Sequence, residues 1–120
     1  MAEIEIIIQD GVLEQITNWL ETVVGPIGSP TDAEFFWVYN TRLGTVLVQP
    51  NMDMGDRRGV AVWFRSAELP WPSCAACARQ AAREMACVVC CDPGEDYPEV
   101  NPLAPLFLEV DCHGEWLVLE

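Results

Sequence analysis

Cysteine is the residue type in this chain whose number and spacing could carry chemistry. The candidate metal ligands are the six cysteines and the histidine after the last of them: Cys74, Cys77, Cys87, Cys90, Cys91, Cys112 and His113. Two CxxC pairs around one centre would suit a small structural zinc-binding domain. The intervening Ala-Ala and Val-Val favour a helix and a strand instead of a sharp turn, and on a strand Cys87 and Cys90 would point to opposite faces. We therefore predict buried free thiols with no bound metal or cofactor, and zinc binding is the alternative.

The first CxxC pair follows an apolar segment, residues 60–64, and stands at the predicted start of a helix. This order of strand, CxxC and helix resembles the thioredoxin family, in which the helix N-terminus stabilises a thiolate at the first cysteine. Pro105, just before the last predicted hairpin, is similar in position to the family's cis-proline. The resemblance covers part of the chain, and it implies a thiol redox activity carried by Cys74 and Cys77.

Other catalytic chemistry lacks its usual residues. All six basic residues are arginines, so a Schiff-base lysine and a phosphate-loop lysine are both excluded. The single histidine, His113, precedes Gly114 in a predicted tight turn. The sequence contains no glycine-rich phosphate loop and no carboxylate pair in a hydrolase motif. We therefore expect a protein that is not an enzyme.

The charge of the chain favours binding instead. Nineteen acidic residues against six basic ones give a net charge of −13. Nucleic-acid binding needs clustered lysine and arginine, and an anionic membrane would repel this chain, so we exclude both kinds of partner. A cationic protein would be attracted by the same field, with a faster encounter. Acidity that serves only solubility is the alternative interpretation.

A cluster of carboxylates around one aromatic residue marks a candidate docking patch. Its members lie close together in the sequence with no basic residue among them: Asp92, Glu95, Asp96, Tyr97 and Glu99. Tyrosine anchors many interfaces, and carboxylates receive arginine or lysine from a partner. A second acidic loop, with Asp53 and Asp56, is the other candidate for the partner-binding site.

Periodicity and turn residues predict the elements that position these side chains. The predicted strands are residues 3–8, 35–41, 45–49, 59–65, 86–91, 106–111 and 115–119, and the predicted helices are residues 10–24 and 73–86. Asp10 is predicted to cap the first helix, and His113 and Gly114 to turn the final hairpin. The order β-α-β-β-β-α-β-β-β indicates a single α+β domain over residues 1–120, with a mostly antiparallel sheet and two helices packed on one face.

Five tryptophans mark candidate core and surface positions. Four of them lie on the faces of predicted elements and are expected in the core: Trp19, Trp37, Trp63 and Trp116. Trp71 lies between Pro70 and Pro72 and is expected to be exposed.

In size, acidity and architecture the chain resembles the bacterial immunity proteins of toxin–immunity pairs. The resemblance implies a stoichiometric inhibitor that covers the active site of a cationic toxin with its carboxylates. It also implies a cytoplasmic location. The same location is expected because residues 1–8 lack the features of a signal peptide and no apolar run reaches the roughly 18–20 residues of a membrane span.

Overall fold

The computed structural model describes residues 2–33, 35–53, 57–66, 68–101 and 103–119, with the side chains of Ala2 and Glu95 left out. Within these ranges the chain forms eight strands, two α-helices and a short 3-10 turn. In chain order the elements are β1 (Ala2–Gln9), α1 (Leu13–Val24), β2 (Thr31–Asp32), β3 (Trp37–Thr41), β4 (Gly44–Asp53), β5 (Arg58–Ser66), α2 (Cys74–Met85), β6 (Val89–Cys91), the 3-10 turn (Gly94–Asp96), β7 (Leu106–Asp111) and β8 (Gly114–Leu119).

In the described part of the chain, the strands form one antiparallel sheet in the order β2-β3-β4-β5-β1-β6-β7-β8. This confirms the predicted α+β class with two helices and an antiparallel sheet. β1 pairs with β5 along its whole length, but it pairs with β6 only at Ile7 and Ile8. β2 was not predicted, because a strand of two residues is too short to show an alternating pattern.

Both helices cover the same face of the sheet. Alternate residues of β1, namely Ile4, Ile6 and Ile8, point into that face and are buried. The helices add their own apolar stripes, which include Leu20 on α1 and Ala78 on α2. The alanines of α2 let its backbone approach the strands closely, because their side chains need little room. The opposite face of the sheet has no helix on it in the described ranges, and it carries the alternate members of the same strands, both polar and apolar.

The predicted cap of the first helix is wrong. α1 begins at Leu13, and its capping residue is Val12, which makes no side-chain cap hydrogen bond. Asp10 instead has a positive φ of 51° and donates its backbone N–H to the carbonyl of Arg58 at 3.0 Å. Asp10 thus ends the β1 pairing and does not start the helix. The cap of α2 does involve a side chain, since Ser73 Oγ accepts the N–H of Ala76 at 3.1 Å.

Three of the tryptophan predictions are wrong. Trp63 is only partly buried and lies on the face of the sheet without helices, not in the core. Trp71 is buried, with 7% of its surface exposed, because it stacks on Trp19 at a centroid distance of 6.0 Å and contacts the edge of Phe64 at 5.0 Å. Its indole N–H is satisfied by Gln80 Oε1 at 2.7 Å. Trp116 is 44% exposed, because it lies on the last strand of the sheet and on the face without helices.

Candidate functional site

A cleft of roughly 1550 Å³ opens on the face of the sheet opposite the helices. The residues of β1 that alternate with the core isoleucines lie along it, including Glu5 and Ile7. The segment between β6 and β7 also lines the cleft, through residues such as Tyr97 and Asn101. The apolar part of the lining comes mainly from strand residues: Ile7, Met52, Trp63, Leu106, Phe107 and Val118. The cleft therefore combines a long apolar floor with polar borders.

The shortness of β6 explains why the cleft exists. β6 has three residues and pairs with β1 only as far as Ile7↔Cys90, and with β7 only from Cys91↔Leu108. Beyond Cys91, the described part of the chain places no strand between the first residues of β1 and those of β7. Two strand spacings leave an opening of about 10 Å there. At this opening Cys74, the first residue of α2, and Glu5 of β1 both line the cleft.

The charges around the cleft are strongly unbalanced. Among the described residues, the lining contains five carboxylates, from Glu3, Glu5, Asp53, Asp92 and Glu109, and one guanidinium, from Arg57. Arg57 lies 3.8 Å from the Glu109 carboxylate and donates to Gln9 Oε1 at 3.1 Å. Glu3 is 3.2 Å from the guanidinium of Arg65 on the neighbouring strand. After these pairings the lining still carries a net negative charge.

The predicted docking patch is divided by the structure into two groups of residues. Asp92 and Glu99 are exposed, and Asp92 lines the cleft. Asp96 is in an ion pair with Arg79, and Tyr97 donates its hydroxyl hydrogen to Glu115. The side chain of Glu95 lies outside the described part. The prediction that Asp53 lies in a loop is wrong, because Asp53 is the last residue of β4, where it lines the cleft. Asp56 lies outside the described residues.

Arg79 of α2 is the centre of a polar cluster that connects three parts of the chain. Its Nε and Nη2 atoms contact the two carboxylate oxygens of Glu115 on β8 at 2.7 and 2.8 Å. Its Nη1 atom contacts Asp96 Oδ2 in the 3-10 turn at 2.8 Å. The hydrogen bonds from Arg79 lower the pKa of Glu115 to about 2. The hydrogen bond to Glu115 raises the pKa of Tyr97.

The sequence carried no local signal for this cluster, because Arg79 is 17 residues from Asp96 and 36 from Glu115. No basic residue lies within the acidic loop in the sequence, but in the folded chain Arg79 contacts Asp96 of this loop. Asp96 and Tyr97 therefore already have partners within the molecule. The two residues serve first to fasten the segment that borders the cleft.

The prediction of buried thiols holds for Cys77, Cys90 and Cys91 and partly for Cys74 and Cys87, but it is wrong for Cys112, which is exposed. All six are free of disulfides. Burial raises the pKa of Cys74, and it raises the pKa of Cys77 and Cys91 far above the ordinary range. A thioredoxin-like nucleophile needs the opposite shift. Residues 103–119 and the other described ranges contain no cis peptide bond, so Pro105 is trans.

The two CxxC pairs do not converge on one centre in the described structure. Cys90 lies on the open face of the sheet, where its sulfur accepts a hydrogen bond from Gln9 at 3.4 Å. Cys91 points to the opposite face and is buried against the helices. Within the described residues, no three side chains of His, Cys, Asp or Glu are grouped so that they could hold a metal ion.

Comparison of the chain with protein-family models, with curated proteins and with solved structures gave no match. Neither helix of the described ranges has the length and apolar character needed to cross a membrane. The cleft and its charges are therefore the features from which a function can be inferred.

Proposed function

We propose that this protein is an acidic protein-binding domain whose cleft receives a cationic, partly apolar segment of a partner protein. The observation that carries the proposal is the composition of the cleft, which has five carboxylates, one guanidinium and an apolar floor. A lysine or arginine side chain matches this composition, because its aliphatic stem packs on apolar surface while its charged end reaches a carboxylate. An arginine can also bind a carboxylate through two parallel hydrogen bonds.

The charge of the whole chain supports the same kind of partner. A net charge of −13 accelerates the encounter with a cationic protein and repels nucleic acid and anionic lipid. The apolar floor adds what charge alone does not provide, since burial of about 100 Å² of apolar surface is favourable by roughly 2.5 kcal/mol before the entropic costs of association are subtracted. Both contributions are needed for a specific complex, because exposed ion pairs alone contribute about 0–1 kcal/mol each.

In its more specific form, the proposal is that the chain is an immunity protein that neutralises a cationic bacterial toxin by stoichiometric binding over the toxin's active site. Carboxylates on a protein surface compete with substrate phosphates for the same arginines and lysines of a nucleic-acid-processing toxin. Asp92, Glu99 and Asp53 are the members of the predicted site that we retain for this contact, and Glu3, Glu5 and Glu109 are added to them. A cytoplasmic place of action and the absence of catalysis belong to the same proposal.

The partner to test is the protein encoded by the reading frame next to that of this chain. We expect that protein to be basic, to be toxic when expressed alone and to be tolerated when both chains are expressed together. The affinity of the purified pair is then measured by calorimetry for the wild-type chain and for Glu5→Lys. The substitution reverses an exposed charge on the cleft, and we expect it to weaken binding by about tenfold or more.

The matched control is Glu21→Lys, which makes the same change of net charge on the exposed side of α1, away from the cleft lining. We expect its affinity to stay within about threefold of the wild type, because only the long-range field changes. Equal losses in the two variants would reduce the effect to net charge and would remove the cleft from the proposal. An adjacent protein that neither binds nor is toxic would overturn the immunity function.

A further inference from the structure

The last strand of the sheet presents an unpaired edge. In the sheet that the structure describes, β8 is the terminal strand and pairs only with β7. The hairpin register begins at Asp111↔Gly114, so Trp116 and Val118 also exchange backbone hydrogen bonds with β7. The backbone N–H and C=O groups of the alternate residues, Glu115, Leu117 and Leu119, consequently point away from β7.

The side chains of β8 do not protect this edge. Natural edge strands are blunted by lysine, proline, bulges or extreme shortness. β8 has six residues and none of these features, and its exposed side chains include Trp116 at 44%, Leu117 at 37% and Leu119 at 70%. The edge at the other end of the sheet is different, because β2 has two residues, follows Pro30 and exposes both side chains.

We infer that β8 pairs with β8 of a second copy of this chain, antiparallel and centred on Leu117. With Leu117 opposite Leu117 of the second copy, Glu115 lies opposite Leu119, and all the outward backbone groups find partners. On the open face, Trp116 of each copy packs against Val118 of the other, which is a favourable cross-strand combination. The edge is thus complementary to itself in register, in backbone hydrogen bonding and in side-chain type.

The distribution of charge selects a second copy as the occupant instead of a cationic partner. Glu115 is the charged residue of β8, and Arg79 already holds its carboxylate. In the inferred pairing Glu115 faces a leucine, so like charges do not oppose each other across the interface. The carboxylates that would attract a cationic strand line the cleft, not this edge. The inference does not rest on the proposed function, although the edge and the cleft share Val118 and Leu119 of β8.

The net charge of −13 on each copy opposes association at long range. Salt screens that repulsion, since the Debye length falls from about 10 Å at 0.1 M to about 3 Å at 1 M. The hydrogen bonds and apolar contacts of the strands respond little to salt. Because one strand per copy makes a small interface, we expect a dissociation constant on the order of micromolar that decreases as salt is added.

The experiment is sedimentation equilibrium of the purified chain without any partner, from about 1 μM to about 200 μM and at low and high salt. We expect a monomer–dimer equilibrium that is stronger at high salt. Leu117→Lys places two ammonium groups opposite each other at the centre of the interface, and it should weaken the dimer by about tenfold or more. Leu103→Lys is the matched control, because Leu103 is 91% exposed, lies outside the strands and receives the same charge. Its dimer should resemble that of the wild type.

Cross-linking gives a second readout that depends on register. In a Cys112→Ser background, Leu117→Cys brings two thiols face to face across the two-fold axis, at a Cα separation of about 5.5 Å that a disulfide can bridge. Val118→Cys faces Trp116 instead, so it should not form the same cross-link. A monomer under all conditions would overturn the inference and would leave the edge for a partner's strand. A dimer that Leu117→Lys does not weaken would overturn it equally.

Discussion

The two flanks of α2 are attached to the rest of the molecule by different kinds of interaction. On the side of α1, Trp71 stacks on Trp19, and the two indole N–H groups donate to Gln80 and Glu84 of α2. On the side of β8, a single guanidinium, that of Arg79, holds two carboxylates. The first flank is an aromatic contact with polar ends, and the second is an exposed ion cluster.

The difference between the flanks shows which parts of the fold respond to solvent conditions. The aromatic contact is buried and stabilises through apolar area, which salt and pH change little. Arg79 is 38% exposed and Glu115 25% exposed at their side chains, so the polar flank is open to screening and protonation. That flank also fastens the segment bordering the cleft, so the candidate binding surface depends on the more sensitive attachment.

Trp71→Ala should have the largest effect on stability. The substitution removes the stacked ring and leaves a cavity against Trp19 and Phe64, and we expect a loss of about 3–5 kcal/mol in the free energy of unfolding. Urea denaturation measures this difference. The control is Trp116→Ala, the same substitution at an exposed position, with an expected loss of about 0.5 kcal/mol at low protein concentration. Similar losses at both positions would contradict the claim that the buried stacking of Trp71 on Trp19 stabilises the fold.

Arg79→Ala should have a smaller effect, because its partners become solvated when it is removed. We expect a loss of about 1–2 kcal/mol, which is discounted for the exposure of the cluster. Arg83→Ala is the control, since Arg83 is an exposed arginine in the last turn of the same helix. Arg79→Lys should lie between them, because lysine keeps the charge and loses the paired hydrogen bonds. Equal stability of the two alanine variants would show that the cluster does not fasten α2 to β8.

The smallest expected effect is a loss of stability at low pH that arises from the flank with Arg79 and Glu115 and not from the aromatic flank. The pKa of Glu115 is lowered to about 2 in the folded chain, from 4.5. Its contribution is therefore complete above about pH 4.5 and is lost as the pH falls towards 2. Because Glu115 is partly exposed, we expect this contribution to the free energy of unfolding to be only about 1 kcal/mol. Measured as the stability difference between wild type and Arg79→Ala, it should shrink between pH 6 and pH 2. The difference between wild type and Trp71→Ala should stay constant.

The sequence was sufficient for the elements with a strong local pattern. The β-branched run of β1, the apolar period of α1 and the hairpin at His113 were all predicted within a few residues. Predictions that depended on one residue were less reliable. The predicted strand of residues 45–49 stops too early, because β4 continues to Asp53 through an irregularity after Gln49. The pairing of β4 with β5 continues there by a register shift, which the local sequence pattern does not predict.

The candidate site was predictable only in its chemistry. Acidity and a preference for a cationic partner follow from composition. The positions of the carboxylates do not, because the cleft forms between β1 and β7, which are distant in the chain and are brought together by β6. The exposure of Trp116 and the burial of Trp71 had the same kind of cause. Trp116 is exposed because β8 is the terminal strand of the described sheet, and Trp71 is buried because α1 brings Trp19 against it. Neither arrangement can be read from the few residues around each tryptophan.

The three residues of β6 also bear on how the molecule folds. They join a five-strand part of the sheet, β2 to β1, to the hairpin of β7 and β8, and they offer only two ladder positions to β1. These two positions pair residues that are 83 and 81 positions apart in the chain, so closing them costs more loop entropy than forming either part separately. We therefore expect the seam at β6 to close after the two parts have formed. A chain in which this seam is still open would lack the cleft, because β6 is what brings β1 and β7 together.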